Sequence, residues 1–176
     1  MISGTTRLLG VIGDPVAHSR SPRMQNAALQ ALGLNWAYVP LPVKADSLES
    51  VLRGLQAAGF VGVNVTVPHK EAVAQLVDEL RPTAKASGSV NTVIFAEDGR
   101  LIGDSTDGPA IAVAIASEIE ETYTGSVLVL GAGGSARAAA AALAQDGCAV
   151  QIHARRFEAA EAVSYTHLTL PTKRIV

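Results

Sequence analysis

Val61-Gly62-Val63-Asn64-Val65-Thr66-Val67-Pro68-His69-Lys70 joins a short apolar run to a proline and then to a helical pattern, and its reading sets the fold class. Residues 61–65 have the length and the β-branched content of a buried strand, and Pro68 ends the extended run. Beyond the proline, which opens a helix, Ala72, Val73, Leu76 and Val77 fall on one helical face. A strand running directly into a helix is half of a βαβ unit. The same reading places Lys70 in the first helical turn, at the positive end of the macrodipole, where an exposed cation is disfavoured by about 0.3–1 kcal/mol. That field favours the neutral amine, which suits acid–base work. A surface lysine aided by Glu71 beside it is the plainer alternative.

Upstream, Arg7 to Ile12 reads as a strand and 13–21 as a loop. Pro22 to Leu32 reads as a helix with Met24, Ala27, Ala28, Ala31 and Leu32 near one face and Gly33 as its stop. Trp36 to Val43 is a second strand. Ser47 to Ala58 is a helix with Leu48, Val51, Leu52 and Leu55 inward, stopped by Gly59. Downstream, Arg81 to Ser87 allows a short helical turn, and Val90–Phe95 with Arg100–Ile102 flank Glu97-Asp98-Gly99 as a β-hairpin. This alternation predicts an α/β domain with a mostly parallel sheet over residues 1–103. An interdomain helix and linker follow at 104–123. Ser126–Leu130, an alanine-rich helix over 133–146 and Ala149–His153 then open a Rossmann-type dinucleotide-binding domain at 124–163. Two parallel strands do not close a doubly wound core, so this second domain reads as truncated. An amphipathic helix starts at Phe157. From Ser164 to Val176 the pattern switches to β-formers and proline, as a foreign or non-native tail would; a genuine, divergent tail is the alternative.

Of the 176 residues 48% are hydrophobic, enough for a core, and the net charge of −2 offers no basic field to nucleic acid or an anionic membrane. No apolar run has the length of a membrane helix, and the N-terminus lacks a basic leader with an apolar segment. The single cysteine, Cys148, excludes an internal disulfide and fits a reducing, cytoplasmic setting, where it reads as a small buried residue. The composition favours a small-molecule partner and leaves the oligomeric state open.

Several residues carry candidate chemistry, each beside a plainer role. Ser19 and Ser21 stand two apart in a loop, with hydroxyls able to face one side; Ser21 before Pro22 is also an ordinary helix cap. His18 reads as loop packing. Thr66 follows a strand end, where open α/β sheets place ligands, and is otherwise a β-branched strand residue. Asn91 in an apolar run needs partners for its carboxamide. Asp107 opens a helix and is stabilised there by the dipole, while Asp104 reads as a turn acid. Gly131-Ala132-Gly133-Gly134-Ser135-Ala136, after a strand and before a helix, fits a dinucleotide loop: Gly131 for the tight turn, Gly133 for pyrophosphate approach and Ala136 for close packing. After the next strand stands Ala154-Arg155-Arg156, with no acid until Glu158. Two guanidiniums suit a 2′-phosphate, or are simply solvated.

Four separated motifs resemble shikimate dehydrogenase and occur in that family's order. They are Gly13-Asp14-Pro15-Val16-Ala17-His18-Ser19-Arg20-Ser21-Pro22, Asn64 to Lys70, Ser89-Val90-Asn91-Thr92, and Gly103-Asp104-Ser105-Thr106-Asp107-Gly108; the resemblance runs from about Arg7 to about Val163. It implies NADP-dependent, reversible reduction of 3-dehydroshikimate to shikimate. Lys70 and Asp107 would then form a catalytic dyad that also touches substrate, Ser19 and Ser21 would hold its carboxylate, and Thr66 and Asn91 its ring hydroxyls. Residues 131–136 and 154–156 would hold NADP. The chain departs from the family's usual pattern at Gln25, Ser105 and Ala110, and Ala154-Arg155-Arg156 replaces a usual Asn-Arg-Thr. Two other readings are a quinate/shikimate dehydrogenase and a module that holds shikimate without turnover. With so little of the nicotinamide side present, the chain by itself is expected to be inactive as a dehydrogenase.

Overall fold

The computed structural model describes residues 2–119 and 123–156, together with 158, 160, 161 and 163. In chain order its elements are β1 (Arg7–Gly13), α1 (Ser21–Ala31), β2 (Trp36–Pro42), a 3-10 turn at Ala45–Ser47, α2 (Leu48–Ala57), β3 (Phe60–Val65) and α3 (Lys70–Leu76). There follow β4 (Glu79–Leu80), α4 (Pro82–Ser87), β5 (Thr92–Phe95), β6 (Leu101–Asp104), α5 (Asp107–Ile119), β7 (Ser126–Leu130), α6 (Gly134–Gln145) and β8 (Ala149–His153). A six-stranded sheet has the order β2-β1-β3-β5-β6-β4, and β7 pairs with β8 in a second sheet. β1 pairs in parallel with both β2 and β3, and β5 runs antiparallel to β3. The fold is thus mixed α/β with parallel strands at the heart of the sheet. The chain divides into two compact units, Met1–Glu79 with Val90–Gly103, and Leu80–Ser89 with the residues from Asp104 on.

In the first unit β1 is central, so its residues are covered on both faces: Val11 is buried with Val16, Leu29 and Tyr38, and its neighbour Ile12, on the opposite face, is buried as well. α2 turns Leu48 and Leu52 inward, as its spacing requires. α1 differs from what its apolar pattern suggests. Met24 is 63% and Leu32 71% exposed, Ala27, Ala28 and Ala31 face solvent, and only Leu29 is buried. The reason lies in Asn26. Its carboxamide accepts from the Tyr38 N–H at 2.9 Å and donates to the Tyr38 carbonyl at 2.8 Å, which ties α1 to the outer edge of β2. Pro40 and Pro42, on the same edge two and four residues further on, offer no N–H to a stray strand.

Two helix starts also shift. α1 begins at Ser21 itself, with Arg20 at the N-cap making no side-chain cap bond; just outside it the Ser19 hydroxyl accepts the Ser21 N–H at 3.3 Å. α3 begins at Lys70 rather than at Pro68, which lies in the preceding turn. The backbone carbonyl of His69 takes the Val73 N–H at 2.9 Å, and the His69 ring is buried with Nε2 donating to the Val43 carbonyl at 2.6 Å. Val77 is already extended, so only Val73 and Ala74 of the helix are buried.

Asp78 closes this unit. Its carboxylate accepts from the Arg53 guanidinium at 2.8 and 3.0 Å and from the Leu101 N–H at 2.7 Å, joining α2 to the start of β6. The Arg53 bond first, then the Leu101 bond, draws its pKa down to about 2. A carboxyl depressed in the folded state stabilises above its unfolded value of about 3.9, and that contribution is lost as pH falls through the folded value. Asp78→Asn is therefore expected to flatten the fall of stability between about pH 4 and 2, read by urea unfolding at each pH. An unchanged pH slope would remove this carboxylate from the acid response.

In the second unit α6 buries Ala138 to Ala141 and Leu143. β7 and β8 alternate strictly, with Val127, Val129, Val150 and Ile152 half-buried and Leu128 (53%) and Leu130 (74%) open on the other face. Cys148 is a buried free thiol. The helix expected from Phe157 falls largely, and the tail 164–176 wholly, outside the described residues. Among the described residues no helix is long and apolar enough to cross a membrane.

Candidate functional site

In the first unit the sheet order places β1 between β2 and β3, so the chain leaves β1 to one side and returns to the other. The crevice outside the carboxyl ends at such a reversal is where open α/β sheets bind ligands. Here the loop after β1 carries Ser19, and the turn after β3 carries Thr66 and leads to Lys70. The two loops are laced together: the Thr66 N–H donates to the Ile12 carbonyl at 2.9 Å, and the Asp14 N–H to the Val67 carbonyl at 3.1 Å. Gly13 permits the approach, since a Cβ there would lie 2.4 Å from Thr66 Cγ2 and 3.1 Å from the Val67 oxygen. Gly13→Ala is therefore expected to cost about 1–3 kcal/mol and to displace Thr66. Urea unfolding checks the first effect and ligand titration the second; wild-type values in both would show that the loops can part freely.

The start of β5 lies against the end of β3. The Val65 N–H donates to the Asn91 carbonyl at 2.8 Å, and the Val90 N–H to the Lys70 carbonyl at 2.9 Å. Ser19, Ser21, Thr66, Lys70 and Asn91 are all half-buried, as groups meant for a ligand should be. The structure thus brings Thr66, Lys70 and Asn91 together by backbone bonds. α3 has only seven residues, so the macrodipole invoked from sequence is short.

The sequence reading missed a hydrogen-bonded chain behind these groups. The Tyr38 hydroxyl donates to Asn64 Oδ1 at 2.7 Å. Asn64 Nδ2 donates to the Asn91 carbonyl at 3.3 Å and to Thr92 Oγ1 at 3.1 Å, and Thr92 Oγ1 donates to Asn91 Oδ1 at 2.9 Å. Burial pushes the Tyr38 hydroxyl up to about 12, so it stays a donor at ordinary pH. A polar Asn64 inside a valine-rich strand was the available signal.

The second unit holds Asp107, half-buried at the first position of α5, and Ser135 Oγ donates to its carboxylate at 3.3 Å. Asp104 accepts from Arg81, Thr83 and the Ser105 N–H. Burial alone would raise its pKa, but these bonds outweigh it and the net shift is downward. Gly131 has φ +128, a left-handed turn that favours glycine, and its N–H donates to the His153 carbonyl at 2.8 Å. Gly133 caps α6 with no atom within 4 Å of where a Cβ would stand, leaving open space at the helix start. Ala132 and Gly134 flank it, and Ser135 and Ala136 occupy the first turn. Ala154 is half-buried and Arg155 and Arg156 are exposed, just past β8. This donor set fits a dinucleotide phosphate: a glycine turn, the N-terminus of a twelve-residue helix, and two guanidiniums. Among the described residues no group of three or more His, Cys, Asp or Glu could hold a metal.

The profile of the shikimate dehydrogenase substrate binding domain matches residues 11–93, the segment that builds the first crevice. Over that segment the chain is similar to the substrate binding domain of shikimate dehydrogenases. The shikimate dehydrogenase (NADP+) of Gluconobacter oxydans (strain 621H) is 53% identical over 163 residues, covering 93% of this chain and 58% of the relative. Among solved structures, a shikimate dehydrogenase in complex with NADP+ superposes with a TM-score of 0.88 at 42% identity, over 94% of this chain and 57% of that one. The shikimate dehydrogenase of Thermus thermophilus, in complex with NADP(H) and shikimate, gives 0.83 at 38% identity, over 92% and 61%. The chain thus spans less than two thirds of the length of the shikimate dehydrogenases it matches.

Proposed function

We propose that this chain serves the NADPH-dependent, reversible reduction of 3-dehydroshikimate to shikimate. The observation that supports the reading is the crevice after β1 and β3, where backbone bonds bring the segments of Thr66, Lys70 and Asn91 side by side in a stretch that matches the shikimate dehydrogenase substrate binding domain. Ser19 and Ser21 hold the substrate carboxylate with hydroxyl donors. Thr66 and Asn91 hold ring hydroxyls. Lys70 is the acid–base group: its ammonium gives a proton to the carbonyl oxygen on reduction, and its amine takes one from the hydroxyl on oxidation. Asp107 is its carboxylate partner and a second contact for substrate, by resemblance to the family. Residues 131–136 cradle the pyrophosphate of NADP, and Ala154, Arg155 and Arg156 receive the adenosine end with its 2′-phosphate. When bound, the nicotinamide supplies or takes the hydride. The setting is the cytoplasm, where the lone thiol of Cys148 stays reduced.

A second reading, shikimate binding without turnover, is favoured by one observation: among the described residues the dinucleotide unit has only β7 and β8, with Leu128 and Leu130 open. Calorimetric titration beside a rate measurement separates the two. Saturable heat with shikimate together with shikimate-dependent NADP+ reduction supports the enzyme, and heat alone supports the binding module. Quinate binding as well as shikimate would mark the broader dehydrogenase, and no heat with either would refute the substrate assignment.

A further inference from the structure

The hydrogen-bonded chain behind the crevice has a fixed polarity. The Asn91 backbone carbonyl can only accept, so the end of the Asn64 carboxamide that faces it, 3.3 Å away, must be Nδ2. That orientation turns Asn64 Oδ1 toward the Tyr38 hydroxyl, which supplies the proton. It also turns Nδ2 toward Thr92 Oγ1 at 3.1 Å, so Thr92 accepts there. Thr92 Oγ1 gives its one proton to Asn91 Oδ1 at 2.9 Å. The bonds that start at the Asn91 backbone carbonyl thus run through Asn64 and Thr92 back to the oxygen end of the Asn91 amide.

We propose that Thr92 is a positioning residue, whose hydroxyl fixes the Asn91 carboxamide with its oxygen held by Thr92 so that Asn91 offers N–H donors to the substrate ring. With its oxygen end held, the amide turns its donors outward, and the ring hydroxyl it meets accepts from them. A flipped amide would present an acceptor instead. Tyr38 has a lesser part: without its hydroxyl, Asn64 is still oriented by the Asn91 carbonyl.

This inference rests on Asn91 as a substrate contact, and the test separates the two. The 15N-labelled chain is titrated with shikimate while the side-chain amide signals of Asn91 are followed, in wild type, Thr92→Val, Thr92→Ser and Tyr38→Phe. Thr92→Val is expected to weaken shikimate about tenfold, the worth of roughly one hydrogen bond, and to broaden or double the Asn91 amide pair already in the free protein. Thr92→Ser restores the hydroxyl and is expected to return both readings close to wild type. Tyr38→Phe is expected to change affinity by less than about threefold, because the backbone bond that sets the polarity stays. An Asn91 amide pair that Thr92→Val leaves unchanged would overturn the proposal, as would a loss that Thr92→Ser does not restore. If the wild-type chain fails to bind shikimate, the proposed function falls, and the free-protein amide signals still decide whether Thr92 orients Asn91.

Discussion

Lys70→Ala is expected to lower turnover by roughly 10²–10⁴-fold, the usual contribution of a general acid–base residue, while shikimate affinity changes only a few-fold. The substitution is best read in a chimera joining these residues to the part of the Gluconobacter oxydans relative that this chain does not cover. Lys70 opens α3 directly after the turn that carries Thr66, and its own carbonyl holds Val90 beside Asn91. The backbone around it is therefore set by bonds that the substitution leaves intact, and the expected loss is chemical rather than structural. Asp107→Asn is expected to lower both turnover and affinity, since it removes the carboxylate proposed as the partner of Lys70 and as an acceptor for substrate. Turnover in Lys70→Ala within about tenfold of wild type would take the lysine out of the mechanism.

Replacing Arg155 and Arg156 together by alanine is expected to abolish most of the preference for NADP over NAD. Each charge-assisted bond to a 2′-phosphate is worth about 1.5–3 kcal/mol, and NAD has no such phosphate to lose. Both side chains are exposed just past β8, where the ribose end of a dinucleotide lies in this type of βαβ unit. Affinities for the two cofactors, measured side by side, check this. Equal losses would mean that the guanidiniums do not read the 2′-phosphate.

Local pattern made much of the architecture legible. β7 and β8 fall on the residues that alternation and composition select, and β3, α2 and α6 differ by a residue or so at their ends. The glycine turn at Gly131 was readable because a strand, a left-handed residue and a helix must follow one another there. Other features depend on distant partners. The orientation of α1 is set by Asn26 reaching Tyr38, so five apolar residues at helical spacing face water. β4 is two residues long, too short for any periodicity. Asn64, Tyr38 and Thr92 meet across three strands, and only the strand order β2-β1-β3-β5 shows that they share a face. Thr66 and Lys70 were readable as candidates for the site because the end of a strand is itself a local signal. The residues that orient Asn91 were not, because each looks like an ordinary strand or loop side chain on its own.

The central claim is that the crevice after β1 and β3 holds shikimate. A shikimate titration of the 15N-labelled chain, followed at every assigned backbone amide, tests it most directly. The account predicts saturable shifts concentrated at Ser19, Ser21, Thr66, Lys70 and Asn91, with the exposed face of α1 unmoved. An absence of saturable shifts, or shifts gathered on α1 away from the crevice, would contradict it.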